Sequence, residues 1–256
     1  MGYWDDVQKI IIEYQKKIEG SERKTFNLLA KRYNSLSSFF TDYIDKLSEL
    51  ENLTPNQIRK LSVYQDFLKD SNIELKKYAI YSDELIKKQQ EIYLKYGLDQ
   101  ISDIFSTVGV RFEKLNIGAV NYIIGQTSQG ERLYNILLGY NSETVEKMTK
   151  TLLESVAIGR NPRVTARLLT KNSSIPLWKS LRLSRTESMQ AYRLANKESM
   201  KNSGLVKKVK RIEQSDACDY CQSVNGNVYP IDSDYGEWHP NCRGTTVPVI
   251  EIGNNK

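Results

Sequence analysis

Residues 26–50 read FNLLAKRYNSLSSFFTDYIDKLSEL, and their apolar side chains recur at alternating intervals of three and four residues. The positions that share this spacing are Phe26, Leu29, Tyr33, Leu36, Phe40, Tyr43, Leu47 and Leu50. On an α-helix this spacing places the side chains in one stripe, which is the seam of a coiled coil or of a helical hairpin. The stretch therefore predicts a long helix whose stripe packs either inside the chain or against a partner.

Helical patterns continue on both sides of this stretch. Upstream, the apolar spacing from Trp4 to Ile18 predicts another helix, and we expect Gly20 and Ser21 to end it. Downstream, the sequence TPNQ at residues 54–57 is a capping signal that starts the next helix. The later helices are expected over residues 73–96, 142–158, 162–169 and 177–202. We expect Gly97, Gly159 and Gly204 to end the first, second and fourth of them. Glycines at 118, 125, 130 and 139 are expected to separate shorter helices.

The last fifth of the chain has a different character. Short runs of β-branched residues predict strands near 205–213, 226–230 and 245–250. The predicted fold class is therefore mainly α with a small α+β C-terminal domain, in which long N-terminal helices are followed by helices leading into a β-containing module. We expect a helical N-terminal region over residues 1–104 and a second domain over residues 105–252.

The basic residues are concentrated in one segment. The whole chain of 256 residues has a formal net charge of +6. Residues 161–215 contain 13 basic and 3 acidic residues, whereas residues 1–160 are balanced and residues 216–256 are acidic. Such a segment can attract nucleic-acid phosphates, although a solvated charged face is the alternative. The candidate nucleic-acid contacts are Lys207, Lys208, Lys210 and Arg211.

Two classes of protein are not indicated by the sequence. No apolar run reaches the ~18–20 residues that a membrane-spanning helix needs, so we expect no membrane span. The N-terminus lacks a basic segment followed by an apolar core, so we expect no secretory signal. We therefore expect the protein to be made and to remain in a reducing cytoplasm.

All three cysteines and the only histidine lie within 25 residues near the C-terminus. Cys218 and Cys221 form one Cys-x2-Cys pair, and His239 and Cys242 form a second pair after a gap of 17 residues. Two such pairs separated by ~15–20 residues are typical of a structural zinc site, because each pair directs two ligands at one ion. The sequence therefore predicts a structural zinc ion in a module of about residues 205–250.

Other interpretations of these four residues remain open. Three unliganded thiols beside a histidine would need no metal, whereas a disulfide would leave one cysteine unpaired in a reducing compartment. A Cys–His nucleophile pair is a catalytic alternative. A zinc deaminase is disfavoured, because Pro240 and Asn241 follow the histidine where that chemistry needs a glutamate.

Several motifs together resemble the phage Mu F-like head morphogenesis proteins, also called minor head or minor capsid proteins. The similar stretches are Ile158–Arg160 with Ala166–Leu168, Leu183–Glu187 with Ala191–Tyr192 and Ala195–Asn196, Asp216–Cys221 with Gly226, and His239–Arg243 with Val247–Pro248. The resemblance covers about residues 105–250. Gly244 departs from the family pattern, which often has a further cysteine there, so Cys242 is the better candidate ligand.

The resemblance implies a low-copy component of the phage head that acts in procapsid assembly near the portal vertex. The expected location of the protein is the virion, and during assembly it is expected in the host cytoplasm. The expected partners are the portal protein, other head proteins and packaged double-stranded DNA, and the heptad stripe could serve an oligomer or coiled-coil partner. We expect no enzymatic activity. A toxin-type transferase or nuclease and a free-standing nucleic-acid-binding module are the alternatives.

Arg185 and Glu187 belong to the Arg-Thr-Glu motif of this resemblance. They could be ordinary surface charges, since residues two apart on a helix point in different directions. Alternatively they connect their helix to the cysteine-bearing module, with Arg185 paired to a carboxylate such as Asp216 and Glu187 accepting from a backbone donor.

Overall fold

The computed structural model describes residues 2–48, 54–110, 115–127, 129–158, 160, 162–233, 235 and 238–250. It is mainly helical, with a small antiparallel sheet near the C-terminus, as the sequence predicts. The helices are α1 (Tyr3–Ser48), α2 (Pro55–Lys60), α3 (Ser62–Thr107), α4 (Leu133–Ala157), α5 (Pro162–Ser173), α6 (Ile175–Asn202) and α7 (Asp219–Val224). The strands are β1 (Lys208–Ile212), β2 (Val228–Pro230) and β3 (Thr245–Val249), and two 3-10 turns lie at Ile117–Ala119 and Asn121–Ile123.

The chain divides into two compact units, each built from separate segments. The first consists of Met1–Lys24, Ile86–Gly130 and Arg182–Lys256, and the second of Thr25–Leu85 and Glu131–Leu181. The boundary expected between residues 104 and 105 lies inside α3 and inside the first unit. The division into units therefore follows packing and does not separate the N-terminal part of the sequence from the C-terminal part.

The heptad stripe lies in the core of the second unit. Leu29, Tyr33, Leu36 and Phe40 are buried, with exposed fractions between 0% and 7%. Three of them pack in one apolar cluster with side chains of α3, α4 and α5, among them Phe67, Met148 and Leu169. The stripe therefore packs inside the chain. The side chains of Leu47 and Leu50 lie outside the described residues.

Three expected helix boundaries are wrong for one physical reason. Helix α1 continues through Gly20 and Ser21, α3 continues through Gly97, and α4 begins at Leu133, so that Gly139 and Ser142 lie inside it. A glycine inside a helix costs only about 1 kcal/mol relative to alanine, and burial of an apolar face readily exceeds that. The start of α2 is confirmed, because the Thr54 N–H donates to Gln57 Oε1 (2.8 Å) and the Gln57 N–H to Thr54 Oγ1 (3.4 Å).

The sheet belongs to the first unit and has the strand order β2-β1-β3. In the central strand, Lys210 pairs with Val228 on one side and with Val247 on the other. Val209 and Val247 are fully buried and share an apolar cluster with Val7 of α1 and Met200 of α6. The sheet is thus anchored to two helices of its own unit, and the loops that leave its strands carry the four Cys and His residues.

No helix among the described residues combines the length and the apolar character that crossing a membrane requires.

Candidate metal centre

Two short backbone turns carry the four Cys and His side chains. Cys218 immediately precedes α7 and Cys221 lies one turn later, with the Gln222 N–H donating to the Cys218 carbonyl at 2.9 Å. In the second turn the Cys242 N–H donates to the His239 carbonyl at 3.1 Å. Asn241 completes that turn at φ 68°, a left-handed conformation that asparagine tolerates better than most residues. Each turn therefore presents two ligand-type side chains close together.

The four side chains meet, as the sequence predicts. His239 Nε2 lies 3.2 Å from Cys218 Sγ and 3.0 Å from Cys221 Sγ, and Cys221 Sγ lies 3.7 Å from Cys242 Sγ. For metal–sulfur bonds of about 2.3 Å, the edge of a tetrahedron is about 3.8 Å. The sulfur–sulfur separation matches that edge, whereas the nitrogen–sulfur separations are shorter than it. The ligand atoms of Cys218, Cys221 and His239 lie within 4.8 Å of one another, and Cys242 falls outside that group. The cluster could therefore hold a metal ion, and Cys242 would have to approach the other three residues for all four to bind it.

The orientation of His239 is suited to metal binding. Its Nδ1 lies 2.8 Å from the Pro240 carbonyl oxygen, which accepts a hydrogen bond only when Nδ1 is protonated. That contact leaves Nε2, the atom nearest the sulfurs, with a free lone pair. Metal-ligating histidines commonly use such a carbonyl contact to fix their tautomer.

The electrostatics of the buried thiols favour a cation. Burial, together with the neighbouring Cys242 thiol, raises the pKa of Cys221 to about 12. Even with the Arg211 guanidinium 3.9 Å from its sulfur, the Cys221 thiol therefore keeps its proton at neutral pH when no metal ion is bound. Metal binding must release that proton, so affinity should fall as the pH is lowered.

A carboxylate lies beside the cysteines and was not anticipated from the sequence. Glu213 Oε2 is 3.8 Å from Cys242 Sγ, and Glu213, Cys221 and Cys242 form a second group of potential ligands that overlaps the first at Cys221. The side chain is fully buried and pairs with Arg211, whose Nε donates to Glu213 Oε1 at 2.6 Å. Gly244 leaves room for it, because a Cβ at that position would overlap the Glu213 carboxylate.

The prediction that Arg211 contacts nucleic acid is wrong. Its side chain is fully buried, and besides Glu213 its guanidinium donates to the Tyr235 carbonyl at 2.8 Å and approaches Cys221 Sγ at 3.9 Å. The sequence grouped it with three neighbouring lysines, but alternation along β1 turns it to the opposite side of the strand from Lys208 and Lys210. Its positive charge therefore lies beside the thiols.

The three lysines differ in exposure. Lys207 and Lys208 are exposed, whereas Lys210 is half-buried and its Nζ lies 4.8 Å from the centre of the Trp4 ring. Their contact with nucleic acid stays a prediction, and of the three only Lys207 and Lys208 have exposed side chains.

Arg185 pairs with a different carboxylate from the one expected. Its Nε donates to Glu22 Oε1 at 2.6 Å, and Glu22 lies in α1 with only 4% of its surface exposed. Arg243 donates to the same carboxylate at 3.0 Å and lies 3.9 Å from Asp216. Asp216 therefore faces Arg243, and Glu22 joins the Arg-Thr-Glu motif to the histidine–cysteine turn. Glu187 is buried in α6, and its expected acceptor role stays a prediction.

Some contacts between α6 and the cysteine-bearing module were not predicted from the sequence, and they involve Thr186, Arg193 and Trp238. Thr186 Oγ1 accepts a hydrogen bond from the Asn241 N–H at 3.1 Å. Arg193 is buried and donates to the carbonyls of Cys242 (2.7 Å) and Gly244 (2.8 Å). The guanidiniums of Arg193 and Arg211 lie 4.0 and 3.9 Å from the centre of the Trp238 ring. The seven-residue interval from Thr186 to Arg193 places both on one helix face, which is the only signal that the sequence offers.

A cavity of about 190 Å³ lies beside the cluster. Its lining includes the exposed Cys218, His239 and the side chains of Arg185 and Arg243, which are 24% and 25% exposed.

Comparisons of the chain with models of protein families, with curated proteins and with solved structures found no match.

Proposed function

We propose that this chain is a minor head protein of the phage Mu F-like type, which acts in procapsid assembly near the portal and carries a structural zinc ion. The observation that carries the proposal is the contact between its two most specific motifs. Thr186 of the Arg-Thr-Glu motif binds the backbone of the His239–Arg243 motif, and Arg185 and Arg243 share Glu22. Motifs that are more than 50 residues apart in the sequence thus act as one structural unit around the cysteines.

The ligand chemistry supports zinc in a structural role. Three thiolates and one imidazole fill a tetrahedral zinc site, whereas catalytic zinc keeps one position open for water. Glu213, a carboxylate that lies beside the sulfur of Cys242, is held by Arg211. The ion would connect β1, α7 and the β2–β3 loop, since the ligands lie on segments that leave those elements. Its contribution would be to the stability of the module.

The metal is tested by measuring zinc bound to the purified chain by mass spectrometry. We expect about one zinc ion per chain, lost in Cys221→Ser, which removes the ligand shared by both groups of three. Ser223→Ala changes an exposed side chain of the same short helix and serves as the matched control. A metal-free chain with the same unfolding free energy as a zinc-supplemented one would contradict the structural zinc.

The assembly role is tested by co-expression with the portal protein of the same phage. We expect the two proteins to co-elute in size-exclusion chromatography and the chain to be found in isolated procapsids. Cys221→Ser should be under-represented in procapsids when compared with Ser223→Ala. Absence of the chain from procapsids and from portal complexes would contradict the assignment.

One observation favours a second candidate, a toxin-type enzyme. The cavity beside the cluster brings two guanidiniums near the exposed thiol of Cys218, an arrangement that could bind an anionic substrate. Incubation of the zinc-loaded chain with plasmid DNA tests the nuclease form of this candidate. Cleavage that disappears in Arg243→Gln would favour the enzyme over the structural protein.

A further inference from the structure

Glu213 brings a carboxylate to the cysteines from the end of β1. It follows the last residue of the strand, and alternation along the strand places it on the same side as Arg211. Both side chains are fully buried, and Arg211 Nε donates to Glu213 Oε1 at 2.6 Å. The other oxygen, Oε2, lies 3.8 Å from Cys242 Sγ. One carboxylate oxygen is thus directed at a sulfur of the candidate metal centre.

Glu213, Cys221 and Cys242 have the spacing of metal ligands. All three are buried, and their ligand atoms lie within 4.8 Å of one another. For metal–sulfur bonds of about 2.3 Å and metal–oxygen bonds of about 2.1 Å, a tetrahedron has sulfur–sulfur edges of about 3.8 Å and sulfur–oxygen edges of about 3.6 Å. The two sulfurs are 3.7 Å apart, and Cys242 Sγ is 3.8 Å from Glu213 Oε2. Both separations match these edges, so the three residues could bind one ion together.

The contact with Arg211 leaves one oxygen of this carboxylate for a metal ion. A guanidinium can bind both oxygens through two parallel hydrogen bonds, but Arg211 directs Nη1 to the Tyr235 carbonyl and Nη2 towards Cys221 Sγ. Metal-binding carboxylates are commonly held by hydrogen bonds from neighbouring groups. Gly244 leaves space for the carboxylate, because a Cβ there would overlap it. Glu213 is therefore fixed in the orientation that a ligand needs.

The charges around Glu213 also suit a metal ion. Two thiolates and one carboxylate exceed the charge of a divalent ion by one negative charge. The buried guanidinium of Arg211 supplies one positive charge beside them. Because buried ions are tolerated only when they are paired, this balance favours an ion bound by Glu213 and the two buried cysteines.

We propose that Glu213 is an alternative ligand of the zinc ion and can take the place of Cys218. Cys221, Cys242 and His239 bind the ion in either arrangement. The fourth ligand is then either the exposed thiol of Cys218 or the buried carboxylate of Glu213. This inference rests on the zinc ion proposed above and adds a fifth ligand residue to its site. Since Cys218 is accessible to solvent, the alternative keeps the ion bound when that thiol is oxidised or otherwise modified.

The test measures the zinc content and zinc affinity of full-length variants. Cys218→Ser removes the exposed ligand, Glu213→Gln removes the alternative ligand, and a double variant removes both. Glutamine keeps the size of the side chain and can still accept the hydrogen bond from Arg211, but it lacks the charged oxygen that binds zinc. The matched control is Cys218→Ser/Asp216→Asn, because Asp216 is another carboxylate that lines the same cavity and the change removes the same charge. Zinc is measured by mass spectrometry and by competition with a chromophoric chelator, and circular dichroism verifies folding.

We expect about one zinc ion per chain in both single variants and in the control, because each keeps four ligands. The Cys218→Ser/Glu213→Gln chain should lose zinc, with an affinity at least about tenfold below that of either single variant, since even groups that only orient ligands contribute about 10–100-fold. Loss of zinc from either single variant or from the control would overturn the proposal, as would zinc retained by the double variant. An unmodified chain that binds no zinc would contradict the zinc proposal as well, whereas the other outcomes leave that proposal intact.

A cobalt(II) spectrum provides a second measurement that leaves Glu213 unchanged, in case a variant at this buried position does not fold. Thiolates bound to cobalt(II) absorb in the near ultraviolet by charge transfer from sulfur, and the absorbance grows with their number. The cobalt-loaded Cys218→Ser chain should show about two thirds of the charge-transfer absorbance of the unmodified chain, because two of three thiolates remain. It should also keep the strong visible bands of tetrahedral cobalt(II). A Cys218→Ser chain that binds no cobalt, or binds it without these bands, would overturn the proposal.

Discussion

Thr186 illustrates how one hydroxyl group supports the candidate metal centre without belonging to it. Its Oγ1 donates to the Arg182 carbonyl at 2.8 Å and accepts from the Asn241 N–H at 3.1 Å. The accepted bond holds the left-handed residue of the turn between His239 and Cys242. Groups that orient metal ligands in this way typically contribute 10–100-fold to metal affinity.

Thr186→Val should therefore weaken metal binding, because valine keeps the shape of the side chain but cannot accept the Asn241 bond. We expect about a tenfold loss of zinc affinity, measured by competition with a chromophoric chelator. Thr41→Val is the matched control, since Thr41 makes the same kind of bond to the carbonyl four residues earlier and lies in the second unit. An equal loss of zinc affinity in both variants would show that the hydrogen bond from Asn241 to Thr186 does not support the metal site.

Glu213 and Gly244 show what the sequence could not predict about the site. The four ligand-type residues could be identified from type and spacing alone, because both pairs are local. The proximity of Glu213 to Gly244 depends on the pairing of β1 with β3, and no local pattern encodes it. The burial of Arg211 was missed for the same reason, since a run of basic residues does not reveal which side of a strand faces the core.

At the scale of the elements, Gly97 explains why α3 passes through a residue that was expected to end it. A methyl group at this position would lie 2.6 Å from the Tyr192 carbonyl oxygen and 2.7 Å from Ala195 Cβ, both on α6. The glycine therefore serves close packing of two helices inside the first unit. The strands were predicted to within a few residues because β-branched runs mark them, whereas the helix ends depended on whether each glycine interrupts a helix or packs inside it.

Gly97→Ala should destabilise the chain, because its methyl group would meet the backbone oxygen of Tyr192 and the short side chain of Ala195, and both residues are buried on a helix and cannot retreat. We expect a loss of about 1–3 kcal/mol in the free energy of unfolding, which exceeds the gain of about 1 kcal/mol in helix propensity. Urea denaturation followed by circular dichroism measures it.

Gly139→Ala is the matched control for that experiment. It also adds a methyl group inside a long helix, but no atom lies within 4 Å of the added Cβ. We expect it to stabilise the chain by up to about 1 kcal/mol. Destabilisation by both variants would contradict the packing role of Gly97.

At the scale of the whole molecule, the metal should matter to only one of the two compact units. Every candidate metal-binding residue lies in the first unit. A bound metal ion stabilises only the part of the structure that must be folded to bind it. Addition of a chelator should therefore reduce hydrogen-exchange protection in β1, β3 and α7, while the amides of α4 and α5 keep theirs. Equal loss of protection in both units would contradict this expectation.

Buried tyrosines give the molecule a second global property, which is sensitivity to alkaline pH. Burial raises the pKa of Tyr78, which is 1% exposed, to about 12 from an ordinary value of 10.0. Burial also raises the pKa of Tyr3 and of Tyr235 to about 12. In each case the tyrosine hydroxyl loses its proton at a lower pH in the unfolded chain than in the folded chain. Its contribution to the free energy of unfolding is therefore complete below pH 10 and is lost as the pH rises towards 12.

The contribution of one such group can be isolated with Tyr78→Phe. A difference of one pH unit in titration corresponds to about 1.4 kcal/mol. Ionisation of Tyr78 should therefore lower the free energy of unfolding of the unmodified chain by about that amount between pH 8 and pH 11. The variant should lose correspondingly less free energy of unfolding over this interval, as measured by urea denaturation at the two pH values. Tyr122→Phe, at a ring that is 63% exposed, should follow the unmodified chain. If all three proteins lose the same free energy, the alkaline sensitivity arises elsewhere than at Tyr78.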